Sequence, residues 1–432
     1  MNLDAVTRAL DAAPGVDAWC VHERELTSHQ SYRIFGRLES ARSATSRSLK
    51  ITLHTASSKG GRPVIGEAAF TLTGDHPELT QARIADAVAR ARLVANPSYI
   101  LPGVATPPGI SLDDPELAAD PEAVMARLER DMDRGVGPMP ICASEIFADR
   151  QQVTVVNSEG FQGRFSGSEL FAEFVVLAED GTQSVECHGM RRARRPEEMD
   201  LEGTLARYGR WADDRLRAVL PPTGALPVVF GEEALETLFD TFVAHAGARA
   251  RYEGWSRLTE GKPLLEDISG EPLTLELDPT LPWRLGSRPF DLEGQICRAV
   301  PVFDRGRLAQ RPAAKRYADY LGIPATGVHG NQVVACGNTP LDTLLGDGPV
   351  LHALRFSTFH PNSVTGAFSG ELRTAYLYDG ERNVTPICGG SVSGNVWQAF
   401  RAARFASGRT VRAQYEGPEG VRLERVTVAG KV

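Results

Sequence analysis

From Pro227 onward the chain is a succession of short extended runs separated by turns, and this constrains its fold more than any other feature. Such runs lie at residues 227–230, 273–277, 299–303, 351–356, 374–378 and 421–428. The run at 374–378 is followed at once by Asp379-Gly380, a strong hairpin signal. Short strands at such spacing favour a sandwich, a barrel or a strongly curved sheet over a doubly wound parallel one.

The first half reads differently. Leu49, Ile51 and Leu53 alternate with polar residues as on a half-buried strand, and the loop-like Ser57-Ser-Lys-Gly-Gly61 leads into a second strand over 63–71. Asp75 is placed to cap a helix that starts near Pro77 and carries Ile84, Val88 and Leu93. Residues 153–156 meet the turn-like Asn157-Ser-Glu-Gly160, and 170–177 meet Asp180-Gly181 before 185–187, which predicts antiparallel hairpins. A helical pattern over 200–220 ends at Leu220-Pro-Pro-Thr-Gly224, where paired prolines and a glycine suit a linker. The expectation is an α+β chain: an N-terminal α+β domain over 1–220 with antiparallel sheet, and a β-rich, barrel-like domain over 225–432.

At 432 residues each half is long enough to bury its own core. The formal net charge of -8 argues against nucleic acid or an anionic membrane as partner, since both call for excess positive charge. The N-terminus lacks the basic start and apolar run of a signal peptide, and no window is apolar enough to span a bilayer, so the expected location is cytoplasmic. Six scattered cysteines form no Cys-x-x-Cys pair and indicate neither a structural zinc site nor a disulfide framework. Arg191-Arg-Ala-Arg-Arg195 is followed by acidic residues and reads as a solvated hairpin edge.

Two segments are candidates for function. Over 235–251, Leu235, Leu238, Phe239, Phe242, Val243 and Ala246 form one apolar stripe of a helix. Asp240 lies almost opposite the stripe and His245 on its flank, roughly 140° apart, too far to share a metal on a regular helix. The expectation is a core-packing helix with a solvated Asp240 and a boundary His245. His329, His352 and His360 have no short metal-ligand spacing, and Cys336 would need a histidine brought to it by the fold before it could act as a nucleophile. The second segment, Gly286-Ser-Arg-Pro-Phe-Asp-Leu-Glu-Gly294, offers Asp291 and Glu293 for a peptide backbone or a cation and Phe290 for a side-chain pocket. The same residues would also build a tight loop, since glycine admits φ > 0 and aspartate favours turns.

The 286–294 segment and Val364-Thr-Gly-Ala-Phe-Ser-Gly370, in this order and with Val426-Thr-Val-Ala-Gly430 at the end, resemble the catalytic-domain signatures of the TldD/PmbA family of peptidases. Active members carry His-Glu-x-x-x-His on a helix and a cysteine near the C-terminus, as zinc ligands and base. Here the window is Asp240-Thr-Phe-Val-Ala-His245, and no cysteine follows Cys388. The resemblance thus implies a chain closest to the metal-free TldE (PmbA) subunit, with no catalytic residues and no metal of its own: Asp240, Thr241 and His245 form a degenerate ligand window. It further implies a dimer, with itself or with a TldD-like subunit that alone holds zinc. The substrate would be an unfolded or leader peptide held near Phe290, Asp291, Glu293 and Gly294. Two alternatives stay open: an active metallopeptidase with a non-standard metal site, and a stand-alone homodimeric peptide-binding module.

Overall fold

The computed structural model describes residues 2–74, 77–135, 139–327, 330–381 and 383–430, with only the backbone of 77–79. Asp75 and His329 lie outside these residues.

The N-terminal half is built on one antiparallel sheet. Its strands are β1 (Ala18–Ile34), β2 (Arg37–Lys59), β3 (Arg62–Thr73), β4 (Asn96–Pro97), β5 (Ile141–Asn157), β6 (Gln162–Glu179) and β7 (Ser184–Ala193), in the order β4-β3-β2-β1-β5-β6-β7. Phe35 and Gly36, both at positive φ, make the two-residue turn between β1 and β2, a conformation whose twist matches that of the strands it joins. Two groups of helices cover the sheet. α1 (Leu3–Asp11) and α2 (Pro77–Ala91) pack on β1 to β3 through Val6, Leu10, Ile84 and Val88 against Leu49, Ile51 and Leu53. After the short α3 (Pro115–Ala119), α4 (Pro121–Gly135) and α5 (Leu201–Leu216) pack on β5 to β7 through Leu128, Met132, Leu205 and Tyr208. The alternation at 49–53 is thus the core side of a much longer strand, of which residues 37–47 are exposed and carry no apolar pattern to announce them.

The C-terminal half closes on itself. Its strands are β8 (Gly224–Phe230), β9 (Leu275–Asp278), β10 (Val300–Asp304), β11 (Arg307–Leu308), β12 (Asn331–Val334), β13 (Val350–Phe356), β14 (Ala367–Tyr378), β15 (Val384–Ile387), β16 (Ser391–Asn395), β17 (Arg404–Phe405), β18 (Arg409–Arg412), β19 (Tyr415–Pro418) and β20 (Val421–Ala429). The order β13-β8-β20-β16-β14 is completed by pairing of β14 with β13, which makes a closed five-stranded barrel; β15 extends β14 and β17 pairs with β20. A second sheet, β11-β10-β9-β12-β19-β18, packs beside it, and Val228, Phe230, Leu275, Val302, Phe368 and Leu423 share one core. The fold is α+β, with a β-rich, barrel-like C-terminal half.

The helix expected over 235–251 is broken. A 3₁₀ turn (Glu232–Glu236) leads to α6 (Asp240–Ala246), and α7 (Ala248–Tyr252) follows after Gly247, whose ψ of 144 leaves the helical region. Arg311 causes the break: its buried guanidinium donates to the carbonyls of His245 and Ala246 at 3.3 and 3.0 Å, and Pro312 O accepts from Ala248 N. A cation on the last carbonyls of a helix satisfies groups the helix itself cannot. The apolar stripe is nonetheless the buried face, from Leu235 to Ala246.

The two halves are joined by a turn of the C-terminal half seated on the face of the N-terminal sheet. Arg194, on the chain leaving β7, donates to the carbonyls of Ser168, Arg284, Leu285 and Ser287 at 2.8 to 3.4 Å. It is 4% exposed. The Arg191–Arg195 run is therefore not a solvated edge. Arg191 donates to Met199 O and Glu198 O, Arg192 pairs with Glu169, and Arg195 pairs with Glu197 and Glu198 and lies over the Trp283 ring. An arginine can be buried this way because five donors in a fixed fork let several carbonyls share one charge, an option the charge pattern of a sequence does not reveal. Arg194→Met should destabilise the protein by about 3 kcal/mol, because at least three carbonyls lose a charged donor while out of water. A denaturant titration showing less than about 1 kcal/mol of loss would remove Arg194 from this role.

Candidate functional site

α6 brings Thr241 and His245 into the protein interior and leaves Asp240 half-buried, and all three side chains are already engaged. Thr241 and His245, four apart, share one face of α6, and Thr237, just before the helix, lines up with them. Thr237 Oγ1 donates to Phe359 O at 3.1 Å, Thr241 Oγ1 to Asn362 O at 3.2 Å, and His245 Nε2 to Val364 O at 2.9 Å. His245 Nδ1 accepts from the backbone N–H of Arg257 at 3.1 Å. A carbonyl can only accept and an amide can only donate, so the ring is the neutral Nε2–H tautomer with its Nδ1 lone pair engaged. Burial, opposed by the Val364 carbonyl, holds His245 below its ordinary pKa. Trp397 and Trp255 close over the ring edge-on, with centroids 4.9 and 5.2 Å away. His245 is thus a fully buried clamp and not a boundary residue.

Asp240 points elsewhere. Its carboxylate accepts from Gln332 Nε2 on β12 at 2.7 Å, and burial raises its pKa. It is half-buried, not solvated. Structure and sequence separate it from His245, and among the described residues no three His, Cys, Asp or Glu side chains are grouped to hold a metal. His352 is enclosed within β13, with its pKa lowered to about 4 by burial. Burial also pushes the Cys336 thiol up, away from the thiolate that a nucleophile needs.

The 286–294 segment is the turn that seats on the N-terminal sheet. Phe290 is 2% exposed and stands edge-on to Phe161 and Phe165, with centroids 5.3 and 5.4 Å away. Burying one such ring contributes about 2 to 3 kcal/mol. Asp291 Oδ1 accepts from the N–H groups of Glu293 and Gln295 at 2.9 and 3.0 Å, so its carboxylate shapes its own loop. Gly294 has φ +95, and a Cβ there would lie 2.3 Å from Phe161. Only glycine fits. Asn157 Nδ2 donates to Pro102 O and Glu293 O, and Tyr99 OH donates to the Glu293 carboxylate at 2.7 Å. Of the four residues singled out here, Phe290 and Gly294 are packed into the junction. Asp291 and Glu293 border open space together with Arg288 and Leu292.

That open space is a pair of clefts on either side of the turn. One, of about 310 Å³, lies between the sheet face and the turn, with His22, Arg24, Phe165, Arg192, Arg288 and Asp291 among its walls. The other, of about 270 Å³, is bounded by Arg288, Leu292, Glu293, Arg316 and Tyr317. Behind the second cleft is a polar cluster that sequence reasoning missed. His54 is 1% exposed, with neither ring nitrogen hydrogen-bonded, and its Nε2 lies 3.3 Å from Glu67, which is itself paired with Arg316. Arg316 takes the Glu67 charge, so His54 stays neutral: burial first, and then Arg316, lower its pKa to about 4 against an opposing pull from Glu293. Burial likewise raises the pKa values of Glu293, Tyr99 and Cys20. Neither His54 nor Tyr99 belongs to a short motif, and only the sheet pairing brings them to the turn.

A closed barrel bearing a helix with a reworked metal window, seated by one turn on an antiparallel sheet, defines an α+β protein with a peptidase-type C-terminal half. Residues 223–430 match the PmbA/TldA metallopeptidase C-terminal domain, and the chain belongs to the TldD/PmbA family. No curated protein sequence matches it. Among solved structures it is similar to TldE from Thermococcus kodakarensis, at 17% identity and a TM-score of 0.81, covering 99% of each chain. A putative modulator of DNA gyrase from Bacteroides thetaiotaomicron is similar at 16% identity and a TM-score of 0.83, over 99% of this chain and 98% of that one. Another from Thermotoga maritima is similar at 17% and 0.81, over 99% of both. At such identities the likeness concerns the fold.

The buried neutral His54 makes a testable contribution to pH dependence. Unfolded, it takes a proton near its ordinary pKa of 6.5; folded, it resists until about pH 4. Its contribution is therefore present above pH 6.5 and lost as pH falls toward 4, by on the order of 3 kcal/mol. Over that window wild type should lose stability relative to His54→Gln in paired urea titrations. Parallel curves for the two proteins would mean that His54 is protonated in the fold.

Proposed function

We propose that this chain is a non-catalytic, TldE/PmbA-like subunit of a TldD/TldE-type peptidase assembly acting on unfolded or leader peptides. It shapes and holds a peptide cleft while a TldD-like partner supplies zinc and hydrolysis. The observation that carries this reading is His245: one ring nitrogen is protonated and donates to Val364, and the other accepts from Arg257. A catalytic zinc needs about three ligands with free lone pairs, an open position and a base. Thr241, bonded to Asn362 O, is no base.

Association is supported by the outer edge of β2, where residues 37–47 have no strand paired beyond them among the described residues. Ile34, Phe35 and Leu38 are exposed at the tip of this arm. Unpaired edges and exposed apolar tips are templates for contact with another chain. Among the described residues no helix is long and apolar enough to cross a membrane, and a cytoplasmic location is part of the proposal.

Three outcomes are expected. Protein purified without chelator should contain no stoichiometric zinc by elemental analysis, and mixing with a TldD-like chain should give a 1:1 complex by light scattering; one zinc per chain overturns the reading. The double substitution Asp240→His, Thr241→Glu should leave the isolated chain without zinc-dependent peptidase activity. It recreates the motif but leaves His245 without a free lone pair and adds no third ligand. Cleavage of an unfolded peptide by that variant alone would mark a recently silenced enzyme.

A further inference from the structure

The larger junction cleft has a charge imbalance that the protein as a whole does not share. The chain carries a net charge of -8, yet Arg24, Arg192, Arg194 and Arg288 border this one cavity, against Glu169 and Asp291. Most of these charges are spoken for: Arg192 is paired with Glu169, Arg194 is spread over backbone carbonyls, and Asp291 accepts from its own loop. Two cations are left over. Arg24 donates only its Nε, to Gln151 at 2.9 Å, and Arg288, half-buried, has no hydrogen-bond or ion-pair partner among the described residues. A half-buried guanidinium without an acceptor forgoes several charge-assisted hydrogen bonds, which an entering anion restores.

His22 reports the same field. After burial, the cations Lys50, Arg24 and Arg288 are what hold it below its ordinary pKa, and its own backbone carbonyl offsets them only in part. Arg288 also borders the second cleft past the exposed Leu292, but there Asp291 and Glu293 face it and Arg316 is paired with Glu67, so the excess of positive charge belongs to the larger cleft. Apolar wall is supplied by Val153, Phe165 and Leu292. Carboxylate-binding donors beside apolar surface suit an extended peptide with acidic side chains.

We propose that the junction cleft selects acidic peptides, with Arg288 and Arg24 binding a substrate carboxylate between the N-terminal sheet and the 286–294 turn. This rests on the peptide-binding reading of the family fold and adds to it a chemical class of peptide. Guanidinium forks take a carboxylate through paired, charge-assisted bonds, which gives Arg288 a geometric role that lysine fills only in part.

The test uses the full chain and fluorescein-labelled unstructured peptides of one length, bearing Glu, Gln or Lys at alternate positions, with binding read by anisotropy. The Glu peptide should bind roughly tenfold or more tightly than the Gln peptide, and the gap should shrink as salt is raised. Arg288→Gln should remove most of the gap without lowering Tm, since the side chain has no internal partner to lose. Arg288→Lys should restore part of it, and Arg37→Gln on the exposed arm should change nothing. Equal affinity for Glu and Gln peptides overturns the acidic preference while leaving the peptide-binding reading intact. If no peptide binds, yet glutarate raises the Tm of wild type and not of Arg288→Gln, the anion site stands and the peptide-binding reading falls. Failure of peptides and glutarate alike overturns both.

Discussion

The seating of the 286–294 turn on the N-terminal sheet depends on how the backbone of that one turn is kept satisfied out of water. The segment from Arg284 to Gln295 leaves the C-terminal sheet, crosses onto the face of the N-terminal one and has no regular pairing partner there. Its carbonyls are met by Arg194 and Asn157, its amides by the Asp291 carboxylate, and its one large ring by Phe161 and Phe165. Burying such a segment without these partners would cost several kcal/mol, more than a surface contact of this size returns. The joint is therefore specific in its register. Asn157 and Arg194 do for this joint what ladder hydrogen bonds do inside a sheet.

The same economy explains the altered window. In and just before α6 a spacing of four aims three donors, on Thr237, Thr241 and His245, at the carbonyls of Phe359, Asn362 and Val364 in the loop that follows β13. Gly366 ends that loop at φ +75, where a Cβ would meet Trp397 at 2.5 Å, and Trp397 in turn covers His245. Helix, loop and indole are thus fixed together. The window at 240–245 is a hydrogen-bonded seam, and two substitutions on α6 alone would have to unpick all of it.

How much of this could be read from the sequence varied with the range of the interaction. The short strands of the second half, the hairpin at Asp379-Gly380 and the apolar stripe from Leu235 to Ala246 were legible because alternation, turn residues and helical periodicity are local. α4 was overlooked although Val124, Leu128 and Met132 repeat at helical spacing behind Asp120, a signal that was there to be found. Residues 37–47 were invisible for a better reason: that part of β2 buries nothing, so no pattern distinguishes it from a loop. Arg194 and Asn157 act across 90 residues or more, and His54 meets Tyr99, Glu293 and Arg316 as well as its neighbour Glu67, so only assembled topology gives them meaning. Helix geometry alone sets Asp240 and His245 apart, but the burial of His245 comes from Trp255, beyond the break at Gly247, and from Trp397, far off in the chain.

Closure of the barrel has a consequence for the order of events during synthesis. β8 begins at Gly224, but its neighbours in the ring are β13, which begins at Val350, and β20, which runs to Ala429. No subset of the second half can complete that ring before β20 leaves the ribosome, whereas the long antiparallel hairpins of the first half pair with near neighbours as they emerge. The N-terminal sheet must then wait with Phe161, Phe165 and Arg194 uncovered. For this interval the nascent chain presents an apolar, cationic face to solvent or to whatever attends it, and it is the docking of Phe290 that ends its exposure.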